Sequence, residues 1–548
     1  MKKLPSAAKG ILIRGGTVYD GTGAPPFHAD IRIEADSITH IGDCPPAKSV
    51  INAGGLSVAP GFIDTHCHSE FALLADSRAQ GRLHQGVTTE INGNCGLSGG
   101  PLLGEALRQR RPDIREFGIK RKWATLKEYL LALEETGLTM NFATLAGHGN
   151  IRASVMGYTN SRPKKKELQK MKALLRESLD EGAIGLSTGL IYPPGVFSDT
   201  DELIELSKEG SGHWPPFIYT SHIRSEGERL VESVSEVIEI GKAAHCPVHI
   251  SHIKTAGKRN RHKIEKVISL MEKARAEGIR LTCDRYPYIA ASTDLDSILP
   301  QWALEGGSEK VLRRLKNPVQ RAKIRVGVLD EHPDEGYWQG VSVSAVESQK
   351  NRWMEGKSLK EVSDTLSLHP ADALIGILIE ERLRAGGIFH SMSEENLRRF
   401  LSLPYAMVGS DSSARSTSGP TRKGRVHPRG FGTFPRFLSR YVRGAWRAVS
   451  PIAPARGRSG LMDMSEAVRK ITGQAAETFG IEKRGKIQEG FFADVVVFDE
   501  KRIKDRATFE EPFRKAEGVA HLIINGVPVL KGGRPTGKRP GRVLRHGG

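Results

Sequence analysis

Apolar and polar positions change their period twice along this 548-residue chain. Near the start, "ILIRGGTVYDGTG" and "ADIRIEADSITHIGD" alternate apolar with polar residues, the period of two that marks half-buried strands. The far end answers with "GFFADVVVFDEKRI" and "HLIINGVPVLKGG", short strands whose Asn525-Gly526 step predicts a tight hairpin. Strand-rich ends around a long middle predict one small β domain formed from both chain termini, residues 1–58 and 481–548, with residues 59–480 inserted as a second domain.

The middle alternates differently. Apolar runs of strand length are each followed by a stretch of helical period: "NFATLAGHGN" by "KKKELQKMKALLRESLDEG", "AIGLSTGLIYPPG" by "DELIELSKEG", "FIYTSHIRSEG" by "RLVESVSEVIEIGKAA", and "PVHISHIKTAG" by "RHKIEKVISLMEKARAEG". Repeated strand–helix units imply a parallel sheet, and enough of them a closed α/β barrel, a (β/α)8 TIM-like architecture. Residues 300–400 break the rhythm with helical segments and predict a lid-like insertion. Residues 410–435, rich in Ser, Gly, Arg and Pro, read as a long functional loop.

Composition narrows the setting. With 38% hydrophobic and 26% charged residues the chain is globular rather than disordered. No apolar run approaches the ~20 residues of a membrane-spanning helix, so no membrane partner is expected. Lys9 and Arg14 interrupt the first apolar stretch, which argues against a signal peptide. Five scattered cysteines suit free thiols in a reducing compartment, with the cytoplasm as the expectation. The net charge of +18 is compatible with nucleic acid or an anionic substrate. The basic residues are spread over several stretches with no aromatic-interleaved module. A solvated basic surface without nucleic acid is therefore preferred.

The chemistry gathers where strands end. In "GFIDTHCHSE", His66 and His68 are two apart, so in extended chain they point to one side while Cys67 points away. Convergent imidazoles suit a metal, although two ordinary strand histidines satisfy the same spacing. Cys95 closes "GVTTEINGNCG", His222 lies in "YTSHIRSEG", His252 in "HISHIKTAGK", and Asp411 follows "YAMVGSD". Singly each is weak. Together they supply imidazole, thiolate and carboxylate at the ends of separate strands, a donor set that suits Zn²⁺. The phrases "SHIRSEG" and "SHIKTAG" stand thirty residues apart, one strand–helix unit.

"PGFIDTHCH" resembles the metal-binding signature of the amidohydrolase superfamily. "GVTTEINGNCG", "GAIGLSTGLIYPPG", "DRYPYIAAST", "GSDSSA", "HPRGFGTFPR" and "GKIQEGFFADVVVFD" extend the likeness over nearly the whole chain, toward the N-acyl-D-amino-acid deacylases, or D-aminoacylases. The resemblance implies that His66 and His68 hold one metal. It implies that Cys95, His222 and His252 hold the other, one zinc being tight and a second weaker, and that Asp411 binds metal and handles protons. Cys95 takes the bridging place that a carboxylated lysine fills in other members. Tyr192 is then either a donor to the developing oxyanion or to the substrate carboxylate, or a core tyrosine beside two prolines; Lys254, Ser292 and Arg422 line the carboxylate end, Arg422 equally readable as a solvated loop arginine.

The expected activity is zinc-dependent hydrolysis of a small-molecule N-acyl-D-amino acid to a carboxylate and a free D-amino acid. One alternative is a hydantoinase-like hydrolase of cyclic amides or dipeptides, against which Cys95 argues. Another is a catalytically inactive scaffold for anionic partners, which predicts missing ligands where none is missing.

Overall fold

The structure, a computed structural model, describes residues 10–213, 217–444 and 460–546. The segment before Gly10, with Lys9, lies outside the described residues, as do residues 445–459 of the middle region.

Eight parallel strands form the barrel among the described residues. They are β1 (Phe62–Asp64), β2 (Val87–Asn92), β3 (Asn141–Thr144, continued past Leu145 into Ala146–Gly147), β4 (Gly185–Gly189), β5 (Ile218–His222), β6 (Val248–Ile250), β7 (Leu281–Asp284) and β8 (Ala406–Met407). Each pairs with its neighbour in that order. The ring closes just beyond β8 and β1, where Cys67 and Ser412 form a parallel bridge and the Asp411 amide donates to the His66 carbonyl at 2.8 Å. The strands are buried along nearly their whole length, as expected of a sheet covered by helices outside and side chains within.

Helices Lys165–Asp180, Leu230–Ala244 and Ile264–Ala276 follow strands and turn apolar stripes inward. Leu230, Val234, Val237 and Ile240 are all fully buried.

Both chain ends meet in a nine-stranded sheet. The seam is the antiparallel pair Ser57–Pro60 with Val495–Phe498, in register Val497 to Val58. Alternation sends these side chains to two cores. Val58, Val495 and Val497 join the apolar centre of the small domain, while Ala59, Val496 and Phe498 join that of the barrel. At the hairpin, Asn525 (φ 47°) and Gly526 (φ 74°) carry the two left-handed residues of a tight turn, and a side chain at 526 would strike the Ala35 carbonyl. The basic C-terminal stretch is docked: the Phe142 amide donates to Arg542, and the Leu544 amide to Phe142.

The insertion is a three-stranded antiparallel sheet, Ala291–Asp294, Gly386–Phe389 and Val341–Ala345, with helices packed on a core of its own. It begins at Ala291 rather than near 300. It ends before helix Glu394–Ser402, whose Leu397, Phe400 and Leu401 belong to the barrel core. That helix follows the insertion without a change of sequence pattern, which is why pattern alone runs the excursion on to 400. No single helix among the described residues is long and apolar enough to cross a membrane.

Candidate metal centre

The ends of β1, β2, β5, β6 and β8 bring their side chains together in one buried cluster. The Cys95 thiol lies 3.3 Å from His66 Nε2, 3.6 Å from His222 Nδ1 and 3.5 Å from His252 Nε2. Asp411 Oδ1 lies 3.3 Å from His68 Nε2 and 3.7 Å from His66 Nε2. Three overlapping sets each bring their donor atoms within 4.8 Å: His66–His68–Cys95, Cys95–His222–His252 and His66–His252–Asp411. The six strand-end residues singled out in the sequence are thus gathered in one place.

The backbone is bent to do this. Cys95 (φ 54°), His252 (φ 35°) and Asp411 (φ 51°) are all left-handed without being glycine, a conformation that persists where surrounding contacts enforce it. Two glycines make room. A Cβ on Gly189 would lie 2.1 Å from the Cys95 carbonyl, and one on Gly409 2.5 Å from His66 Cβ.

Burial pushes the Cys95 thiol up. The charge on His66 and hydrogen bonds from His222, His252 and His66 outweigh it and hold the thiol well below its usual range. Burial also raises Asp411, but Arg429, then His252, His68 and His66, hold its carboxyl well below the usual carboxylate range. Thiolate and carboxylate are therefore the resting forms.

Two carboxylates stand behind the imidazoles. Asp284 Oδ2 is 3.3 Å from His66 Nδ1 and 2.8 Å from His249 Nε2, and its Oδ1 accepts from the His252 amide at 2.9 Å. Glu226 Oε1 is 3.0 Å from His252 Nδ1 and bonds the Lys254 ammonium. An acceptor on Nδ1 leaves Nε2 of His66 and of His252 free toward Cys95, the arrangement that orients imidazoles on a metal. Thiolate, imidazole and carboxylate donors with carboxylates behind them fit Zn²⁺.

Lys254 is buried, with Nζ 2.9 Å from His252 Nδ1. Tyr192 donates to or accepts from Thr293 Oγ1 at 2.9 Å, and its ring meets that of His222 edge-on at 5.0 Å. Burial and the Cys95 charge push its phenol well up, so it keeps its proton. Ser292 reaches the cluster through its main chain, its carbonyl accepting from Arg429 Nη2 at 3.2 Å.

Arg422 does not join the cluster. It is exposed and stacks over Phe513 at 5.4 Å, because the loop turns outward between Gly419 and Arg422 before re-entering at His427. The buried arginine that meets Asp411 is instead Arg429, with Nη1 2.9 Å from Asp411 Oδ2 and its guanidinium 4.6 Å over Tyr286. Arg429 lies inside "HPRGFGTFPR", so the motif pointed to the segment without singling out the residue. Asp284 and Glu226 had no signal of their own beyond lying at strand ends. His148, given no ligand role, pairs with Glu202 at 2.7 Å.

The chain matches the model of the amidohydrolase family over residues 49–303 and 439–530. It is 34% identical to a D-aminoacylase of Alcaligenes xylosoxydans xylosoxydans, over 97% of each chain. It is 33% identical to an N-acyl-D-glutamate deacylase of the same organism, over 98% of this chain and 96% of that one. Among solved structures, the N-acyl-D-glutamate deacylase of Bordetella bronchiseptica, complexed with zinc and a phosphonate mimic of the tetrahedral intermediate, superimposes with a TM-score of 0.81 at 30% identity. That match covers 98% of this chain and 100% of the other.

Proposed function

Because this chain belongs to the amidohydrolase family, among its D-aminoacylases and N-acyl-D-amino-acid deacylases, we propose that it is a metal-dependent hydrolase of N-acyl-D-amino acids. The products are a carboxylate and the free D-amino acid. The observation that carries this reading is the convergence of the Cys95 thiol, three imidazoles and the Asp411 carboxylate at the mouth of the barrel.

Cys95, His222 and His252 would hold the tighter zinc, and His66 and His68, with Asp411 beside them, a weaker second one; the Cys95 thiol lies within reach of both sets and would be shared. Zinc bound there supplies Lewis-acid activation of water and of the amide carbonyl. The residues of the chain do the rest. Asp411, a carboxylate beside the donors, takes the proton of the attacking water and returns it to the leaving nitrogen, which departs only as a neutral amine. Tyr192 keeps its phenolic proton and can donate to the developing oxyanion. Lys254 and Arg429, both buried at the edge of the centre, meet the substrate carboxylate; Arg429 offers the planar fork that suits it. The relatives named above act on linear N-acyl substrates, which favours this reading over hydrolysis of cyclic amides. Five cysteines free of disulfides suit a reducing compartment, and we place the enzyme in the cytoplasm.

The test is a panel of N-acetyl amino acids, acidic and neutral, in both enantiomers, with released amino acid read by chiral chromatography. Turnover of D- and not L-substrates is expected. Equal turnover of the L-series would remove the stereochemical claim.

A further inference from the structure

A second buried polar cluster sits directly behind the candidate metal centre, on the opposite face of the chain at His66–His68. Arg82, Asp64, Glu90 and Cys67 are all fully buried there. Arg82 Nε donates to Glu90 Oε1 at 2.6 Å, and Nη2 lies 3.5 Å from Asp64 Oδ2 and 3.8 Å from the Cys67 sulfur. The guanidinium lies between the two acids and balances one of their charges, while Asp64 Oδ2 and Glu90 Oε2 accept no hydrogen bond.

Besides the His66 amide, which donates to Asp64 Oδ1 at 3.4 Å, its remaining side-chain hydrogen bonds run to residues 410, 412 and 430. Arg82 Nη2 donates to the Ser412 carbonyl at 2.6 Å, and Nη1 to the Gly430 carbonyl at 3.3 Å. Asp64 Oδ1 accepts from the Ser410 amide at 2.7 Å. Ser410 and Ser412 flank Asp411, and Gly430 follows Arg429. The Asp411 amide itself is held by the His66 carbonyl at 2.8 Å, and the Ser412 carbonyl also accepts from the His68 amide at 3.2 Å. Asp411 sits at φ 51°, a conformation a non-glycine residue leaves unless its neighbours hold it there.

We propose that Arg82 and Asp64 form a buried clamp that grips the chain on both sides of Asp411 and so holds it in the left-handed conformation aiming its carboxylate at the metal donors and Arg429. Arg82 is a positioning residue: it touches neither substrate nor metal ligand side chain. It acts at the seam where β1 meets the end of β8. There the bridge between Cys67 and Ser412 lies outside the regular strands, so side chains must supply what a longer strand would supply by its ladder. A lysine in its place keeps the charge but concentrates its three donors on one nitrogen, which cannot span the four acceptors that the guanidinium fork reaches.

The inference rests on the deacylase reading for its kinetic readout, so the zinc-loaded full-length enzyme is compared with Arg82→Lys and with Asp64→Ala, which removes the acceptor of the Ser410 amide. An ångström of misplacement at a reacting group costs up to ~100-fold in rate. Both variants are expected to lose ~10–100-fold in kcat on the best N-acetyl-D-amino acid, with KM within about twofold and bound zinc and thermal midpoint close to the parent. Crystal structures of the variants should show residues 410–412 displaced and the Asp411–Arg429 pair opened. Parental kcat in both variants overturns the clamp. So does a kcat loss matched by loss of zinc or of folded protein with residues 410–412 unmoved, which is a purely structural role. If Arg82→Lys does not fold, parental kcat in Asp64→Ala alone overturns it. An inactive parent enzyme speaks against the deacylase reading instead, and the crystallographic comparison still decides the clamp.

Discussion

Replacing Asp411 by Asn removes one charge and almost no volume, and the surroundings let its cost be divided. The parent carboxylate is 2.9 Å from Arg429 Nη1 and 3.3 Å from His68 Nε2, with the Asp411 and Arg429 side chains 13% and 5% exposed. Loss of a general acid–base group costs ~10²–10⁴ in rate, about 3–5 kcal/mol in the barrier. Stability should change less. Stripping one partner from a buried ion pair costs about 3–5 kcal/mol when the remaining charge has no other contact. Arg429 keeps the Ser292 carbonyl at 3.2 Å and the Tyr286 face at 4.6 Å. The loss should therefore fall to about 1–3 kcal/mol, since a desolvated cation–π contact is worth up to ~2 kcal/mol. The variant is assayed on an N-acetyl-D-amino acid at saturating substrate, with bound zinc measured by mass spectrometry and stability by denaturant unfolding. The expected outcome is a folded protein retaining most of its zinc with kcat down at least ~100-fold. A kcat within tenfold of the parent, zinc retained, would remove Asp411 from the proton transfers.

Other outcomes follow from the same geometry. Cys95→Ala takes away the donor that faces three imidazoles at 3.3–3.6 Å, and bound zinc should be lost on dialysis; unchanged zinc content would show that the ligand set is wrong. Arg429→Gln removes the first cation holding the Asp411 carboxyl low. A depressed carboxylate is ionised above its folded pKa and loses activity as pH falls through it, so the variant's acid limb in kcat/KM should move to higher pH. An unmoved limb would contradict that pairing. Glu202→Ala leaves Arg152 buried without the carboxylate at 3.1 Å, though Arg152 keeps the Thr159 and Ser161 carbonyls. A loss near the lower end of about 3–5 kcal/mol in unfolding free energy is expected, with kcat per folded molecule unchanged. A loss under 1 kcal/mol would show that Glu202 is not what balances Arg152.

What the chain determined by itself is what depends on local spacing. The period of two at both ends, the strand–helix rhythm between them and the hairpin at Asn525-Gly526 are near-neighbour signals. So is the pairing of His66 with His68 on one side of an extended segment. Ligand-type residues at strand ends were legible for the same reason, because a barrel brings strand ends together whatever lies between them. Tertiary structure decided which of many ordinary acids and bases serve the centre. Asp284 meets His66 across 218 residues, Arg82 meets Ser412 across 330, and Arg429 rather than Arg422 reaches Asp411. An Asp or Arg carries no mark of its partner in the sequence. The interaction depends on separation in space and on removal from water, and both exist only once the barrel has closed.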